Sequence, residues 1–269
     1  MSLPNRTLDQ LTLLDRLARR STALKRIDPR AQLLVTLALL VTIASFEPHD
    51  LTRPTPLLLF FVVTIGLGEI PAAVIVKRLV IASPFALLIG VWNPIFDHAP
   101  RVLFGSIAIG AGWLSFLSVL IRFAFALGAV LILIASTGFN ELCRAAQSLG
   151  APRVLTTQLL LLYRYSFLIV DEIGRTLRCY ALRAQRRAPP SFGVFRSMLA
   201  ALFLRSLARA ERVHAAMLCR GFSGSLPRAG SRGFTRLDLA YVAGWIAFFG
   251  AVRSIDFTQW IGGALLTFG

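Results

Sequence analysis

The sequence predicts an all-α, polytopic membrane protein with about five transmembrane helices and two long cytoplasmic helices. Three observations lead to this fold class. Of the 269 residues, 56% are hydrophobic and the mean hydropathy is +0.68, which is too apolar for an ordinary soluble domain. Only 16% of the residues are charged, yet the formal net charge is +16. The basic residues are concentrated in a few segments that alternate with nearly neutral ones.

Five apolar segments are candidates for membrane spans, because a bilayer core requires about 20 apolar residues per helix. They are 31–46, 56–68, 79–96, 113–137 and 237–252. The third segment contains Pro84 and Pro94 and is expected to be kinked. Residues 102–112 are too few to cross a bilayer as a helix, so we interpret them as a partial or re-entrant segment.

Basic residues near the span ends predict the orientation of the chain. Residues 1–30 carry seven basic and three acidic residues and no apolar core, so we expect a cytoplasmic segment without a cleaved signal peptide. The first four spans occupy 31–137. Residues 138–236 carry sixteen arginines against four acidic residues and are predicted to be cytoplasmic. Residues 237–269 then hold the last span and a C-terminus outside the inner cell membrane.

The basic segment 138–236 is predicted to contain three helices. A short helix ends at Gly150, and a long second helix begins near Pro152 and ends before Pro189. The third helix covers about 194–219. Both long helices are amphipathic, with an apolar side and an arginine-lined side, so each has a face available for a partner.

An apolar stripe and a row of arginines follow the third helix at helical spacing. The stripe consists of Leu199, Phe203, Leu207, Ala210, His214 and Met217, with Ser206 one position off it. The row consists of Arg205, Arg209, Arg212 and Arg220. On the stripe, a packed neutral His214 is favoured over a metal ligand.

The second helix carries its own charged face. Arg175, Arg178 and Arg186 lie on one side of it by the 3.6-residue period. Asp171 and Glu172 precede these arginines, and both are expected to pair with Arg175 about one turn further on.

Catalytic and cofactor motifs are absent from the sequence. It has no HExxH, no GxSxG and no GxxxxGK[ST] phosphate loop, so we expect neither catalysis nor ATP binding by this chain, and no cofactor in it. The three histidines are dispersed, and no ligand cluster occurs at metal-site spacing, so no metal site is expected. For His49 and His98, solvated loop positions are favoured over a site of metal entry.

Arg122 lies inside the longest predicted span, where an arginine is costly. Two interpretations stay open. Its side chain extends to the outer interface of the membrane, or it forms a buried pair or a contact surface for a membrane partner.

The cytoplasmic arginines fit three classes of partner. Anionic lipid headgroups attract such residues near the membrane surface. Nucleic acid is not expected, because a recognised binding module and interleaved aromatic residues are missing. Acidic grooves on a partner protein are the third class. The usual excess of basic residues in cytoplasmic loops accounts for many of the arginines, but not for two long amphipathic helices that each end in arginine.

Three motifs resemble those of the transmembrane (T) components of energy-coupling factor transporters. The segment SLARAERVHAAMLCRGFSG (206–224) resembles the second signature of that family, with Cys219 where alanine is usual. STGFNELCRAAQSLGAP (136–152) and STALKRIDPRAQLL (21–34) resemble two further family motifs. The first signature is represented by LRAQRRAP (182–189), which lacks the usual glycine. The motifs are most similar to the CbiQ branch, the T component of cobalt transporters.

The resemblance implies the partners of this chain. It would couple two ABC-type ATPases, which bind the ATP, to a separate substrate-binding membrane subunit of the CbiM type, with a small CbiN-type subunit as an optional further partner. Cobalt is the implied substrate, and nickel or a vitamin are alternatives. A self-sufficient membrane carrier or enzyme is the competing class of function.

The resemblance also implies the functional residues. The residues that would contact the ATPases are Arg186, Arg187 or Arg183 at the end of the second helix, and Cys219, Arg220 and Gly221 at the end of the third. The interface of the coupling helices would involve Leu199, Phe203, Leu207 and Met217.

Overall fold

The chain folds into two compact units, each of which is described here by itself. The computed structural model describes residues 23–46, 53–92, 102–104, 107–109, 111–184, 190–224 and 233–254. The first unit comprises the helices before Gly138 and after Arg232, and the second comprises the helices between Phe139 and Ser231. Both units are helical within the described residues, apart from one pair of short strands in the first, which confirms the predicted fold class.

The described part of the first unit contains one helix for each predicted span. These helices are α1 (Pro29–Ser45), α2 (Leu58–Gly68), α3 (Ala72–Gly90), α4 (Ala111–Thr137) and α8 (Arg236–Ser254). Short 3₁₀ turns, Ala23–Arg26 and Thr55–Leu57, precede α1 and α2. By length and composition, α3 and the Ser115–Thr137 part of α4 are able to cross a membrane, whereas α1 and Thr55–Gly68 are apolar but shorter.

The third predicted span differs from the observed helix at its start. Helix α3 begins at Ala72 rather than near residue 79, directly after Pro71 in extended backbone. The predicted span 79–96 leaves out Lys77 and Arg78, and both residues lie inside the observed helix. Both residues are good helix formers, so they continue the helical turn that begins after the proline.

The segment 102–112, interpreted as a partial or re-entrant segment, contains two short strands among its described residues. Val102–Phe104 forms strand β1 and Ile107–Ile109 forms strand β2, and the two strands pair in antiparallel orientation. The β-branched residues of this segment favour extended backbone, which explains the strands. Helix α4 already begins at Ala111.

The core of the first unit lies where α1, α2 and α8 meet. Leu39 of α1 and Leu57 ahead of α2 have no exposed surface. Trp245 of α8 packs edge-on against Phe60, with ring centroids 4.9 Å apart, and stacks on Phe249 at 5.8 Å. The aromatic rings fill the space among the three helices and join the two ends of the chain within one unit.

The described part of the second unit contains a short helix and two long ones. They are α5 (Phe139–Ser148), α6 (Arg153–Arg183) and α7 (Phe192–Cys219). Phe139 stacks on Tyr163 with ring centroids 4.5 Å apart, which fixes α5 against α6. By length and composition alone, α6 is also able to cross a membrane. Helix α6 ends earlier than expected, at Arg183, and residues 185–189 lie outside the described residues.

Candidate functional site

The C-terminus of α7 has a defined cap. The N–H of Phe222 donates to the carbonyl of Met217 at 3.0 Å, and the N–H of Gly221 donates to the carbonyl of Leu218 at 2.9 Å. These two bonds are the pair expected of a Schellman cap. Gly221 has φ of +79°, in the left-handed region that glycine adopts without strain. Gly221 and the two capping hydrogen bonds therefore fix the residue at which α7 ends.

Arg220 occupies the C-cap position of α7 and is exposed, and the neighbouring Cys219 thiol is exposed as well. The last carbonyls of a helix carry partial negative charge, which favours a cation at this end. The capped backbone thus holds an accessible guanidinium between two small residues, as the motif predicts.

Of the arginines predicted as coupling residues at the end of α6, only one lies within the described residues. Arg183 is the last residue of α6 and is exposed. Arg186 and Arg187 lie outside the described residues, so their role as candidate coupling residues stays a prediction.

An open groove of about 630 Å³ lies between α6 and α7. Phe203, Leu207 and Met217 of the predicted stripe line it, together with Leu161 and Ile169 of α6. Leu199 is not among its lining residues and is 47% exposed. Within the described residues no side chain of α7 is buried, so this chain alone leaves most of the predicted stripe uncovered.

The orientation of α7 differs from the predicted helix face in two ways. Ser206 was expected one step off the stripe, but it lines the groove and is less exposed than Leu207. His214 lines the groove but is exposed, so it is not a packed core histidine. The face of α7 toward α6 therefore includes most of the stripe together with Ser206 and Arg205, and arginine side chains bridge it to α6.

The acidic partner of these arginines is Glu172 of α6, which was expected to pair with Arg175 instead. Its Oε1 accepts from Arg205 at 3.1 Å, and its Oε2 lies 3.8 Å from an Nη of Arg209. Asp171 does pair with Arg175 within α6, as expected. Neighbouring carboxylates on one helix point in different directions, so Asp171 stays within α6 while Glu172 reaches α7.

A buried polar network in the first unit was missed by the sequence analysis. The Asp238 carboxylate is 2% exposed and accepts from the N–H of Asp28 at 2.7 Å. It also accepts from the N–H and the hydroxyl of Thr235, at 2.8 and 2.6 Å. Asp238 supplies one half of a capping box at the start of α8, since its side chain accepts from the N–H of Thr235, and the sequence TRLD before an apolar run was the signal for it.

The motif IDPRAQ supplies the other half of this network. Asp28 caps α1 by accepting from the N–H of Arg30 at 2.8 Å. The Gln32 amide donates to the carbonyl of Leu24 at 2.7 Å. Its carbonyl oxygen accepts from the hydroxyls of Ser136 at 3.0 Å and Thr137 at 2.8 Å, at the end of α4. The network therefore ties the start of α1 to the ends of two helices that are distant in sequence.

Arg122 lies on a polar face of α4. Ser118 and Ser115, one and two turns before it, are 3% and 5% exposed, and Arg122 itself is half-buried with its Nε enclosed. The buried position of Nε favours the interpretation of a buried contact over a side chain that extends fully to the interface.

No cluster of three or more His, Cys, Asp or Glu side chains suited to a metal ion occurs within the described residues. That the chain holds no transported ion stays a prediction, since residues such as His49 and His98 lie outside that part of the chain.

Comparisons with known proteins agree with the three motifs. The model of the CbiQ cobalt transport protein family matches residues 20–229. The cobalt transport protein CbiQ of Salmonella typhimurium is 31% identical to the chain over 144 residues, which are 49% of this chain and 64% of that protein. The family match spans both units and includes Arg220 and Glu172. The chain belongs to the CbiQ cobalt transport protein family.

Proposed function

We propose that this chain is the transmembrane coupling subunit of an ATP-driven importer of the energy-coupling factor type, with cobalt as the transported ion. Two ABC-type ATPases bind and hydrolyse the ATP. A separate membrane subunit of the CbiM type, with or without a CbiN-type subunit, holds the ion. This chain contributes no catalysis and transmits the movement of the ATPases to the substrate-binding subunit.

The exposed guanidinium of Arg220 on a capped helix end is the observation that carries this proposal. A guanidinium offers a planar fork of donors that suits carboxylates in an acidic groove. The Schellman cap holds the backbone of Arg220, so a displacement of the bound ATPase would move α7 rather than bend a loose loop. The small neighbours Cys219 and Gly221 let a partner approach the backbone closely.

The proposed topology places the second unit in the cytoplasm. With α1 to α4 as four spans and a cytoplasmic N-terminus, residues 138–236 return to the cytoplasm and α8 ends outside. If α6 crossed the membrane instead, the arginines of α7 would lie outside, against the usual distribution of basic residues. Charged residues in the second half of α6, among them Asp171, Glu172 and Arg175, also disfavour a span.

The uncovered apolar side chains of α7 suit the substrate-binding subunit as a partner. Phe203 and Leu204 are 65% and 64% exposed, and Leu199 is 47% exposed. Apolar surface of this extent on a helix outside the bilayer is typical of a protein interface. Movement of the ATPases would then pass through α7 to that subunit.

Charge reversal at Arg220 tests the proposal. In a transporter with all its subunits, Arg220→Glu is expected to abolish Co²⁺ uptake, because removing one partner of a desolvated charge pair costs about 2–5 kcal/mol. Arg196→Glu, an equal change near the other end of the same helix, is the matched control and should retain uptake. Wild-type uptake by Arg220→Glu would contradict the proposal. A wild-type chain that purifies from native membranes without any ATPase would contradict it as well.

The same assay identifies which arginine at the end of α6 contacts an ATPase. Arg183→Glu, Arg186→Glu and Arg187→Glu are compared one at a time, and the variant that loses both ATPase binding and uptake marks the residue at the end of α6. Uptake of Co²⁺ measured in competition with Ni²⁺ then distinguishes the proposed ion from its nearest alternative.

A further inference from the structure

The direct polar contact between α6 and α7 within the described residues centres on Glu172. One carboxylate oxygen accepts from Arg205 at 3.1 Å, and the other lies 3.8 Å from Arg209. The carboxylate is 23% exposed, and the two guanidinium side chains are 57% and 41% exposed. One acidic residue of α6 is thus shared by two basic residues of α7.

The two arginines are four residues apart, so they lie about one helical turn, or roughly 6 Å, from each other along α7. Arg212 follows three residues later and is exposed. These three residues form an arginine ladder on α7, with rungs at Arg205, Arg209 and Arg212. In this structure Glu172 contacts the first two rungs and leaves the third beyond its reach.

The packing around this contact does not fix one position of the helices. The open groove of about 630 Å³ lies beside Glu172, and its lining includes Phe203, which is 65% exposed. No side chain of α7 is buried within the described part of the chain. Interdigitated apolar side chains normally hold two helices in register, and few of them do so here.

We propose that Glu172 is a positioning residue that keeps α6 and α7 together while α7 slides along the arginine ladder during transport. A one-turn step exchanges the contacts with Arg205 and Arg209 for contacts with Arg209 and Arg212. Shifts of one helical turn between two packed arrangements are a known form of conformational switching. This inference rests on the proposed function, because movement of the ATPases drives the slide.

The exposure of the charges suits this role. Ion pairs in contact with water contribute little to stability, so a carboxylate exchanges one arginine for the next at small cost. Asp171 differs, since it pairs with Arg175 on its own helix and its contact does not change when α7 moves. Two adjacent carboxylates thus have separate tasks, one within α6 and one between the helices.

Cysteine cross-linking tests the slide in the complete transporter. The native cysteines are replaced by serine, Glu172 and the three arginines are kept, and Ile169→Cys is combined with Ser206→Cys, Ala210→Cys or Val213→Cys, all positions that line the same groove. Each pair is oxidised without nucleotide and with the ATPases trapped by ATP and vanadate. We expect the preferred partner of position 169 to change by one helical turn between the two states. The same preferred partner in both states would overturn the proposal.

Charge removal tests whether Glu172 itself controls coupling. Glu172→Gln is expected to lower the Co²⁺ taken up per ATP hydrolysed by about two- to fivefold, the range that one exposed ion pair supports. Asp171→Asn is the matched control and should keep the wild-type ratio. An equal ratio in all three proteins would overturn the role of Glu172.

Failure of this inference is distinguishable from failure of the proposed function. If ATPases bind and Arg220→Glu abolishes uptake, but the cross-linking pattern does not change, only the sliding contact is wrong. If no ATPase associates with the wild-type chain, the proposed function and the inference both fail.

Discussion

Asp238→Asn is expected to destabilise the first unit. The carboxylate of Asp238, a residue that is 2% exposed, accepts hydrogen bonds from the N–H of Asp28 and from the N–H and the hydroxyl of Thr235. An asparagine of nearly equal size replaces one of the two acceptor oxygens by a donor group. If the remaining oxygen faces Thr235, the amide group faces the N–H of Asp28, and a buried donor loses its acceptor.

The size of the effect follows from these contacts. An unsatisfied buried donor costs about 1–3 kcal/mol, and the surviving bonds lose the contribution of the charge, so the total is about 2–4 kcal/mol. For a chain of this size, that loss corresponds to a fall in the midpoint of thermal unfolding of roughly 4–7 °C. Asp238→Ala removes all three contacts and should lower the midpoint further.

Tryptophan fluorescence during heating of the detergent-solubilised chain measures this effect. Trp245 packs against Phe60 and Phe249 in the same unit, so its emission reports on the loss of that core. Asp171→Asn, which changes an exposed pair in the second unit, is the matched control and should leave the midpoint unchanged. A wild-type midpoint for Asp238→Asn would refute the argument that the carboxylate holds the start of α8 to α1.

Three further predictions concern the cap of α7, the cysteines and the transported ion. Gly221→Ala places a Cβ on a residue in the left-handed backbone region, at a cost of about 1 kcal/mol. Because the space around Gly221 is open, the chain should stay folded but take up less Co²⁺ per ATP. Gly221→Asn should be tolerated, since asparagine adopts this backbone conformation more readily. A maleimide should label exposed Cys179 and Cys219 quickly and buried Cys143 only after denaturation, because burial limits access to the Cys143 thiol and raises the pKa of that thiol. Bound ATPases should protect Cys219 alone. Equal labelling rates at the three thiols would contradict the structure. Calorimetry with Co²⁺ or Ni²⁺ on the isolated chain should give no saturable isotherm, and a one-to-one isotherm would show that this subunit holds the ion.

Local sequence signals predicted the elements that depend on neighbouring residues. The apolar runs predicted the helices of the first unit, because a helix satisfies its backbone hydrogen bonds within one segment. Gly221 predicted the end of α7, since its left-handed backbone is a property of a single residue. The strands within 102–112 were not predicted, because short apolar runs do not distinguish strand from helix.

Contacts between distant segments could not be predicted in the same way. The pairing of Asp28 with Asp238 joins residues at opposite ends of the chain, although the capping box at Thr235 was visible in the sequence. Glu172 was paired with Arg175 by helical spacing, whereas the structure pairs it with the arginines of α7. Helical spacing brings Arg175 within reach of Glu172, but it carries no information about arginines on a second helix.

The sequence by itself determined the class of the fold, the approximate position of the helices and the family, through composition, periodicity and the motif that ends at Arg220. Only the tertiary structure decided how α7 is rotated about its axis and which carboxylate it contacts. Periodicity defines the faces of a helix but not the neighbour of each face, and that choice depends on packing among segments far apart in the chain. For this reason the helix end at Arg220 could be predicted from the sequence, whereas the contact of Glu172 with the arginines of α7 required the structure.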